Sequence, residues 1–364
     1  MVILSSRLFF YFCFNEKTTN IKLKTMKELI LFLLLITFIF PKKSISQDND
    51  NAALFGALAG AAAVAQEKIY FNSSNPFSFK DIITNPNLQT NQTVYGVLTM
   101  PDDFDSTLVY PLIIAFAGSN GWSTHHYEYL ELYQSNGIAT FEVSSFKSRG
   151  VSSTVGSQVD VTTAMMVLDA YKAFEVLSLH KNIDKDKIGI TGWSLGGGVT
   201  LFSAWGPLKN AINPNVHFVA HLAFYPPCIV VPTILDFGEA PIHILIGELD
   251  NWTPSDACLE LVNQMPINSN ISLTIYPNAH HSFDRDAPPQ IKSNGYILED
   301  CRFSMNEEGA VVMNFFNIPM VTPFLQKLGV GMCAKRGPTY GGNKEVKQKA
   351  LEFSKEFMKQ NLLN

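Results

Sequence analysis

At 364 residues, 46% of them hydrophobic and 16% charged, the chain can bury a large core and lacks the composition of a disordered protein. A formal net charge of −5 without a long basic run argues against a nucleic-acid surface. No repeat at a period of about 20–50 residues is visible, which sets aside solenoids and propellers.

The first recognisable segment is "MKELILFLLLITFIFPKKSISQDND", beginning at Met26. A basic residue, an apolar run from Leu29 to Phe40 and small residues at Ser44 and Ser46 give the layout of a secretory signal, with cleavage expected before Gln47. The apolar run is short for a membrane span, so an uncleaved anchor is the weaker alternative and no obligatory membrane partner is expected. Residues 1–46 are accordingly read as a leader and 47–67, rich in alanine and glycine, as a tether. Residues 68–364 are read as one domain.

Along that domain strand-like and helix-like segments alternate. "TVYGVLTM" alternates as a strand does, and "PLIIAFAG" is the continuous apolar run of a buried parallel strand. A helix is expected over "HYEYLELYQSNG", a strand over "IATFEV", a long helix over "VDVTTAMMVLDAYKAFEVLSLH" and another buried strand over "KIGITGW". Then follow a helix, the strands "HFVAHLAFYP" and "IHILIGE", a helix near "DACLELVNQM" and the strand "ISLTIYP". The last helix, "NKEVKQKALEFSKEFMKQNLL", is amphipathic, with Val346, Ala350, Phe353 and Phe357 on its apolar face and lysines opposite. Such alternation predicts an α/β fold: a mostly parallel sheet covered by helices on both faces.

In open parallel sheets the chemistry gathers at the carboxyl ends of the strands. There the strand "KIGIT" runs into Gly192-Trp193-Ser194-Leu195-Gly196, a G-x-S-x-G pattern in which bulk at either glycine would clash. A serine hydroxyl needs a base to take its proton and an acid to orient that base, in the chain order serine, acid, histidine on such a sheet. Asp250 follows the strand "IHILIGE", with Glu248 as a competitor nearer the strand. His280 and His281 follow "ISLTIYP", and spacing alone does not choose between them. Asp250 would otherwise be read as a cap for the next helix, and either histidine as solvated surface. The oxyanion donors expected are the Leu195 N–H and, from the loop Gly118-Ser119-Asn120-Gly121, the Ser119 N–H. Trp122, Trp193 and Trp252 flank these motifs and are candidates for a substrate pocket. The glycine-rich turn lacks the dinucleotide pattern and no cysteine pair has zinc spacing, so neither a cofactor nor a metal is expected.

Of five cysteines, Cys13 lies in the leader. The remaining even number suits disulfides in an exported chain. Cys228 and Cys258 follow consecutive strands whose loops should lie side by side, which predicts a Cys228–Cys258 bridge and leaves Cys301 with Cys333.

Together "PLIIAFAGSNGW", "SSFKSRGV", "KIGITGWSLGG", "GELDNWTP", "NAHHSFD" and "GPTYGGNKEV" resemble the dienelactone hydrolase family of α/β-hydrolases, over roughly residues 90–362. The resemblance implies an α/β-hydrolase fold with Ser194 as nucleophile, Asp250 as acid and His281 as base. Two departures stand out. The name-giving enzymes carry cysteine where this chain has Ser194, which favours ordinary ester or lactone hydrolysis. Many relatives have a histidine-glycine pair where this chain has Ala117-Gly118. The function expected is an exported serine hydrolase acting on a small-molecule or polymeric ester. A non-catalytic binding protein on the same scaffold, or an acyltransferase, are the alternatives. The segment 285–341 is long for its place after the histidine and is a candidate cover for the site.

Overall fold

A computed structural model describes residues 65–364 apart from Phe315. The expected leader, Cys13 within it and the tether up to residue 64 lie outside the described residues. The first strand, β1 (Gln66–Ser74), starts two residues ahead of the domain boundary expected at 68. It is joined through α1 (Phe79–Thr84) to β2 (Asn91–Thr99), with which it pairs antiparallel along its whole length. α1 begins at a capping box in which the Ser78 side chain and Asp81 serve each other's backbone N–H groups. Neither β1 nor α1 was expected from the sequence.

β3 (Tyr110–Phe116), α2 (Thr124–Gln134), β4 (Ala139–Val143), the short α3 (Ser145–Ser148), α4 (Thr163–Leu177) and β5 (Ile183–Trp193) follow. Next are α5 (Leu195–Phe202), α6 (Gly206–Ile212), β6 (His221–Phe224), β7 (Val230–Pro232), β8 (Ile242–Gly247), α7 (Ser255–Gln264) and β9 (Ile271–Tyr276). Eight of these strands form one sheet in the order β1-β2-β4-β3-β5-β6-β8-β9. From β4 to β9 every neighbouring pair is parallel, while β2 meets β4 antiparallel. Residues 112–116 of β3 are fully buried, as a strand covered on both faces requires. This is the α/β-hydrolase arrangement.

A buried ion pair ties the antiparallel edge to the helices. Arg149 donates from Nη1 and Nη2 to the two carboxylate oxygens of Asp169, at 2.7 and 2.9 Å. The same carboxylate accepts the hydroxyls of Ser73 and Ser145, so β1, α3 and α4 meet at one fully occupied charge.

After β9 the chain makes a series of short pairings before the last helix. β10 (Gln290–Ile291), β11 (Tyr296–Ile297), β12 (Phe303–Met305), β13 (Val311–Val312), α8 (Pro323–Gly331), β14 (Lys335–Arg336) and β15 (Thr339–Tyr340) lead to α9 (Lys344–Leu362). β10 pairs with β15 and β11 with β14, so the segment folds back on itself, while β12 lies parallel to β7. In α9 the buried ridge is Val346, Ala350, Ser354, Met358 and Leu362. Phe353 and Phe357 only flank it, half-buried, and Phe353 lies 4.2 Å from the His243 ring. The expected face was therefore rotated. Lys347, placed on the polar side by the sequence pattern, is buried because Glu128 and Asp286 accept its ammonium at 2.8 and 2.6 Å. Among the described residues no helix is long and apolar enough to cross a membrane.

Cys228 is joined to Cys258 and Cys301 to Cys333, with Cα separations of 4.9 and 5.1 Å. The first bridge joins the loop after β6 to α7, the helix that follows the adjacent parallel strand β8. The second closes the segment that carries β12, β13 and α8. Each cross-link removes freedom from the unfolded chain, worth about 3–4 kcal/mol for a loop of this size. The Cys301→Ser, Cys333→Ser double variant should lose about that much in urea unfolding; unchanged stability would contradict the bracing role.

Candidate active site

Ser194 occupies the turn between β5 and α5 with φ 56° and ψ −113°. This backbone strains any residue with a side chain, and it holds because its surroundings fix it. The Ser194 N–H donates to the Phe224 carbonyl at 2.9 Å, and its carbonyl accepts the Gly198 N–H at 2.9 Å. Glycine is required on both sides by close approach. A β-carbon at Gly192 would lie 2.3 Å from the Gly196 carbonyl oxygen, and one at Gly196 would lie 2.2 Å from that of Phe116. The strand and helix can therefore meet tightly enough to raise the hydroxyl above the sheet.

His281 Nε2 stands 3.0 Å from Ser194 Oγ, and its Nδ1 stands 2.7 Å from Asp250 Oδ2. All three residues are buried, with 9% of Ser194, 2% of His281 and 3% of Asp250 exposed. Asp250 is held by its own turn, where Oδ1 accepts the N–H groups of Trp252 and Thr253 at 2.9 and 2.8 Å. The expectation that such an aspartate might only cap the next helix gives way here, since α7 has Pro254 at its cap position. Glu248 is exposed and accepts the Asn278 N–H instead, and His280 places Nδ1 3.1 Å from the Leu249 carbonyl. Neither is brought to Ser194.

The His281 ring is fixed from both sides. Tyr225 meets it edge-on at 4.7 Å and Trp252 lies tilted against it at 5.0 Å. Its carbonyl accepts the Gly341 N–H at 2.8 Å, which fastens the histidine loop to the far end of the inserted segment. Thr253, which sequence reasoning missed, completes the set. Its Oγ1 lies 3.0 Å from Asp250 Oδ2, 3.0 Å from His281 Nδ1 and 3.0 Å from the Tyr225 carbonyl. A hydroxyl three residues after an aspartate in a turn is the sequence signal that could have found it.

The oxyanion candidates border Ser194 on one cavity wall. Leu195 is the first residue of α5, so its N–H is among those a helix leaves without an internal acceptor. Ser119 is buried, and its carbonyl is occupied by the Thr154 N–H at 2.9 Å and the Ser153 hydroxyl at 3.0 Å. A cavity of about 210 Å³ opens beside Ser194, Leu195 and Ser119. A smaller one of about 50 Å³ is lined by Ser194, His281 and Arg285.

The three tryptophans separate. Trp252 lines both cavities. Trp193 is fully buried and stacks at 4.6 Å on His126 and at 5.2 Å on Phe224, so it is core packing that reaches only the smaller cavity. Trp122 lines neither, because its indole N–H is turned to the Val143 carbonyl at 3.2 Å. A tryptophan beside a motif in sequence can face either side of the turn.

Beneath the smaller cavity lies a buried polar group that sequence reasoning also missed. The Tyr225 hydroxyl donates to Asp284 Oδ1 at 2.9 Å, while Asp284 Oδ2 and His125 Nε2 are buried without hydrogen-bond partners. Burial raises the Asp284 carboxyl to about 6 and, with help from the Arg285 and Lys347 charges, lowers the His125 imidazole to about 3. The 3.8 Å separation of His125 from Asp284 therefore does not make an ion pair, since the imidazole is neutral.

Residues 131–310 match the family model of the dienelactone hydrolases. Over this stretch the chain is similar to the dienelactone hydrolase family. The matched region contains Ser194, Asp250 and His281, and it supports a hydrolase acting on esters. No curated protein matches the chain. Among solved structures, m3DLH is 12% identical, covers 83% of this chain and 100% of its own, and has a TM-score of 0.53, a likeness of fold. The putative dienelactone hydrolase from Klebsiella pneumoniae is 18% identical over 60% of this chain and 89% of its own, with a TM-score of 0.41. Est1E from Butyrivibrio proteoclasticus is 16% identical over 52% of this chain and 86% of its own, with a TM-score of 0.40.

The buried pair beneath the smaller cavity has opposite pH signatures. His125, lowered in the folded state, stabilises above its ordinary value near 6.5 and loses that stabilisation as pH falls towards about 3. Asp284, raised in the folded state, stabilises most below its ordinary value near 3.8 and loses that as pH rises through about 6. Thermal unfolding from pH 4 to 8 should show Asp284→Asn gaining on the parent at high pH and His125→Gln gaining at low pH. Parallel curves for parent and variants would contradict these directions.

Proposed function

We propose that this chain is an exported serine hydrolase that cleaves carboxylic esters or lactones, with residues 1–46 a leader, 47–65 a tether and 66–364, from the start of β1, the catalytic domain. The observation that carries the activity is the continuous hydrogen-bonded line from Asp250 through His281 to Ser194, buried on the ends of three strands. Export is supported by the signal-like segment from Met26 and by the two bridges, since disulfides persist in oxidising compartments.

In this mechanism Ser194 Oγ attacks the ester carbonyl while His281 Nε2 takes its proton. Asp250 accepts the Nδ1–H, sets the tautomer and stabilises the imidazolium. The tetrahedral oxyanion receives hydrogen bonds from the N–H groups of Leu195 and Ser119. His281 then gives its proton to the leaving alcohol, and an acyl group remains on Ser194 Oγ. Water, deprotonated by His281, attacks that acyl group and releases the acid, and the serine regains its proton.

Hydrolysis of a chromogenic acetate by purified, folded protein provides the test. Ser194→Ala and His281→Ala should each reduce turnover by several orders of magnitude, about 10⁶-fold at the extreme. His280→Ala should stay within about tenfold, because a substitution outside the proton path removes no transition-state contact. Folded Ser194→Ala with full activity, or His280 outranking His281, would remove the assignment.

Thr253 acts in this scheme as a positioning residue. Losing a hydrogen bond to a charged group costs about 1.5–3 kcal/mol, or about ten- to a hundredfold in rate. Thr253→Val should lower kcat by that factor with KM nearly unchanged, and Thr253→Ser should restore most of it. Full activity in Thr253→Val together with a loss in Thr253→Ser would show that the methyl group, not the hydroxyl, matters.

A further inference from the structure

The two cavities beside Ser194 differ in size, in chemistry and in which partner of the serine they touch. The larger is walled mainly by apolar side chains, among them Phe79, Ile229, Tyr296, Leu298, Phe303 and Val330. Ser194 and Leu195 border it, as does Ser119, which lines the smaller cavity too, but His281 does not. The smaller is bordered by Ser194 and His281 together. Tyr296, Leu298, Phe303 and Val330 all come from the segment after β9, so that segment builds one wall of the larger cavity.

This difference decides how an ester must lie, if the serine mechanism proposed above operates. The leaving oxygen has to receive its proton from His281 Nε2, so the alcohol portion must extend on the side that His281 lines. The acyl carbon bonds to Ser194 Oγ with its oxygen toward Leu195 and Ser119. Its remaining substituent then extends into the larger cavity, the one of the two that Leu195 borders. A cavity of about 150 Å³ accommodates benzene, so one of about 210 Å³ has room for a ring on a short linker. The smaller, at about 50 Å³, has space for little more than a water-sized group, whose share of the liquid is about 30 Å³.

We propose that the protein is specific for esters that join a bulky apolar acid to a small alcohol, the acid side in the larger cavity and the alcohol beside His281. The apolar walls give such an acyl group a dry site, and discrimination by a fitted hydrophobic pocket reaches about 10–200-fold per methylene in favourable cases. A bulky alcohol joined to acetate would instead place its ring beyond the smaller space and leave the larger apolar cavity unfilled.

Two isomeric esters separate these arrangements because they contain the same atoms. Methyl 4-phenylbutanoate carries its ring on the acid and 3-phenylpropyl acetate carries it on the alcohol. We expect kcat/KM for the first to exceed that for the second by about a hundredfold, with both rates abolished in Ser194→Ala. Val330→Trp, which fills the larger cavity from α8, should depress the rate on methyl 4-phenylbutanoate at least about tenfold more than on methyl acetate. Ser194-dependent turnover with equal rates, or with the acetate preferred, would overturn the cavity assignment and leave the serine mechanism standing. Turnover that survives in Ser194→Ala, or no hydrolysis of any ester, would overturn the mechanism and this specificity with it.

Discussion

The left-handed backbone of Ser194 is the constraint on which the arrangement of the site depends. A side chain at φ 56° is costly, and the cost is met by locking both ends of the turn. The N–H is taken by β6 through Phe224, and the carbonyl by the first turn of α5. Gly192 and Gly196 let the strand and helix close to a distance that β-carbons would forbid. Once the serine is raised in this way, its position relative to the ends of β8 and β9 is set by the sheet itself. Asp250 and His281 need only short loops to reach it.

Those loops are not left to themselves. The aspartate turn is fixed by two of its own N–H groups, by Thr253 and, one residue on, by Asn251, whose side chain accepts the Thr339 N–H at 2.9 Å. Thr339 belongs to the segment after β9, and Gly341 of the same segment holds the His281 carbonyl. The Cys301–Cys333 bridge closes that segment over a Cα distance of 5.1 Å. One insertion therefore braces two loops of the site and supplies a wall of its larger cavity. Such coupling explains how a long stretch with little regular structure can stay in place beside a sheet.

Much of this was legible in the sequence because the relevant signals are local. Continuous apolar runs mark buried parallel strands, and β3 and β5 lie where "PLIIAFAG" and "KIGITGW" place them. Ser194, Asp250 and His281 each follow a strand, so their chain order was readable before any distance was known. What was not legible depends on contacts between distant segments. Glu248 and Asp250 are two residues apart, and only the fold turns one outward and the other toward His281. Trp122 was a pocket candidate, yet its indole N–H turns to β4, whereas Trp193 packs on β6 and still borders the smaller cavity. On the closing helix Lys347 is buried against acidic partners on α2 and in the loop after His281, which an amphipathic pattern does not record. The pairing of Arg149 with Asp169, and the orphaned atoms of His125 and Asp284, are likewise properties of three-dimensional proximity.

Covalent trapping tests the central claim most directly. A fluorophosphonate loses fluoride to an activated serine oxygen and leaves a stable phosphonyl ester, so the nucleophile can be located by mass spectrometry without knowledge of the natural ester. Treatment of the intact protein should add one phosphonyl group, found on the peptide that contains Ser194, with labelling greatly slowed in His281→Ala. Modification of a different serine in protein that still hydrolyses esters, or no adduct at all, would contradict the account.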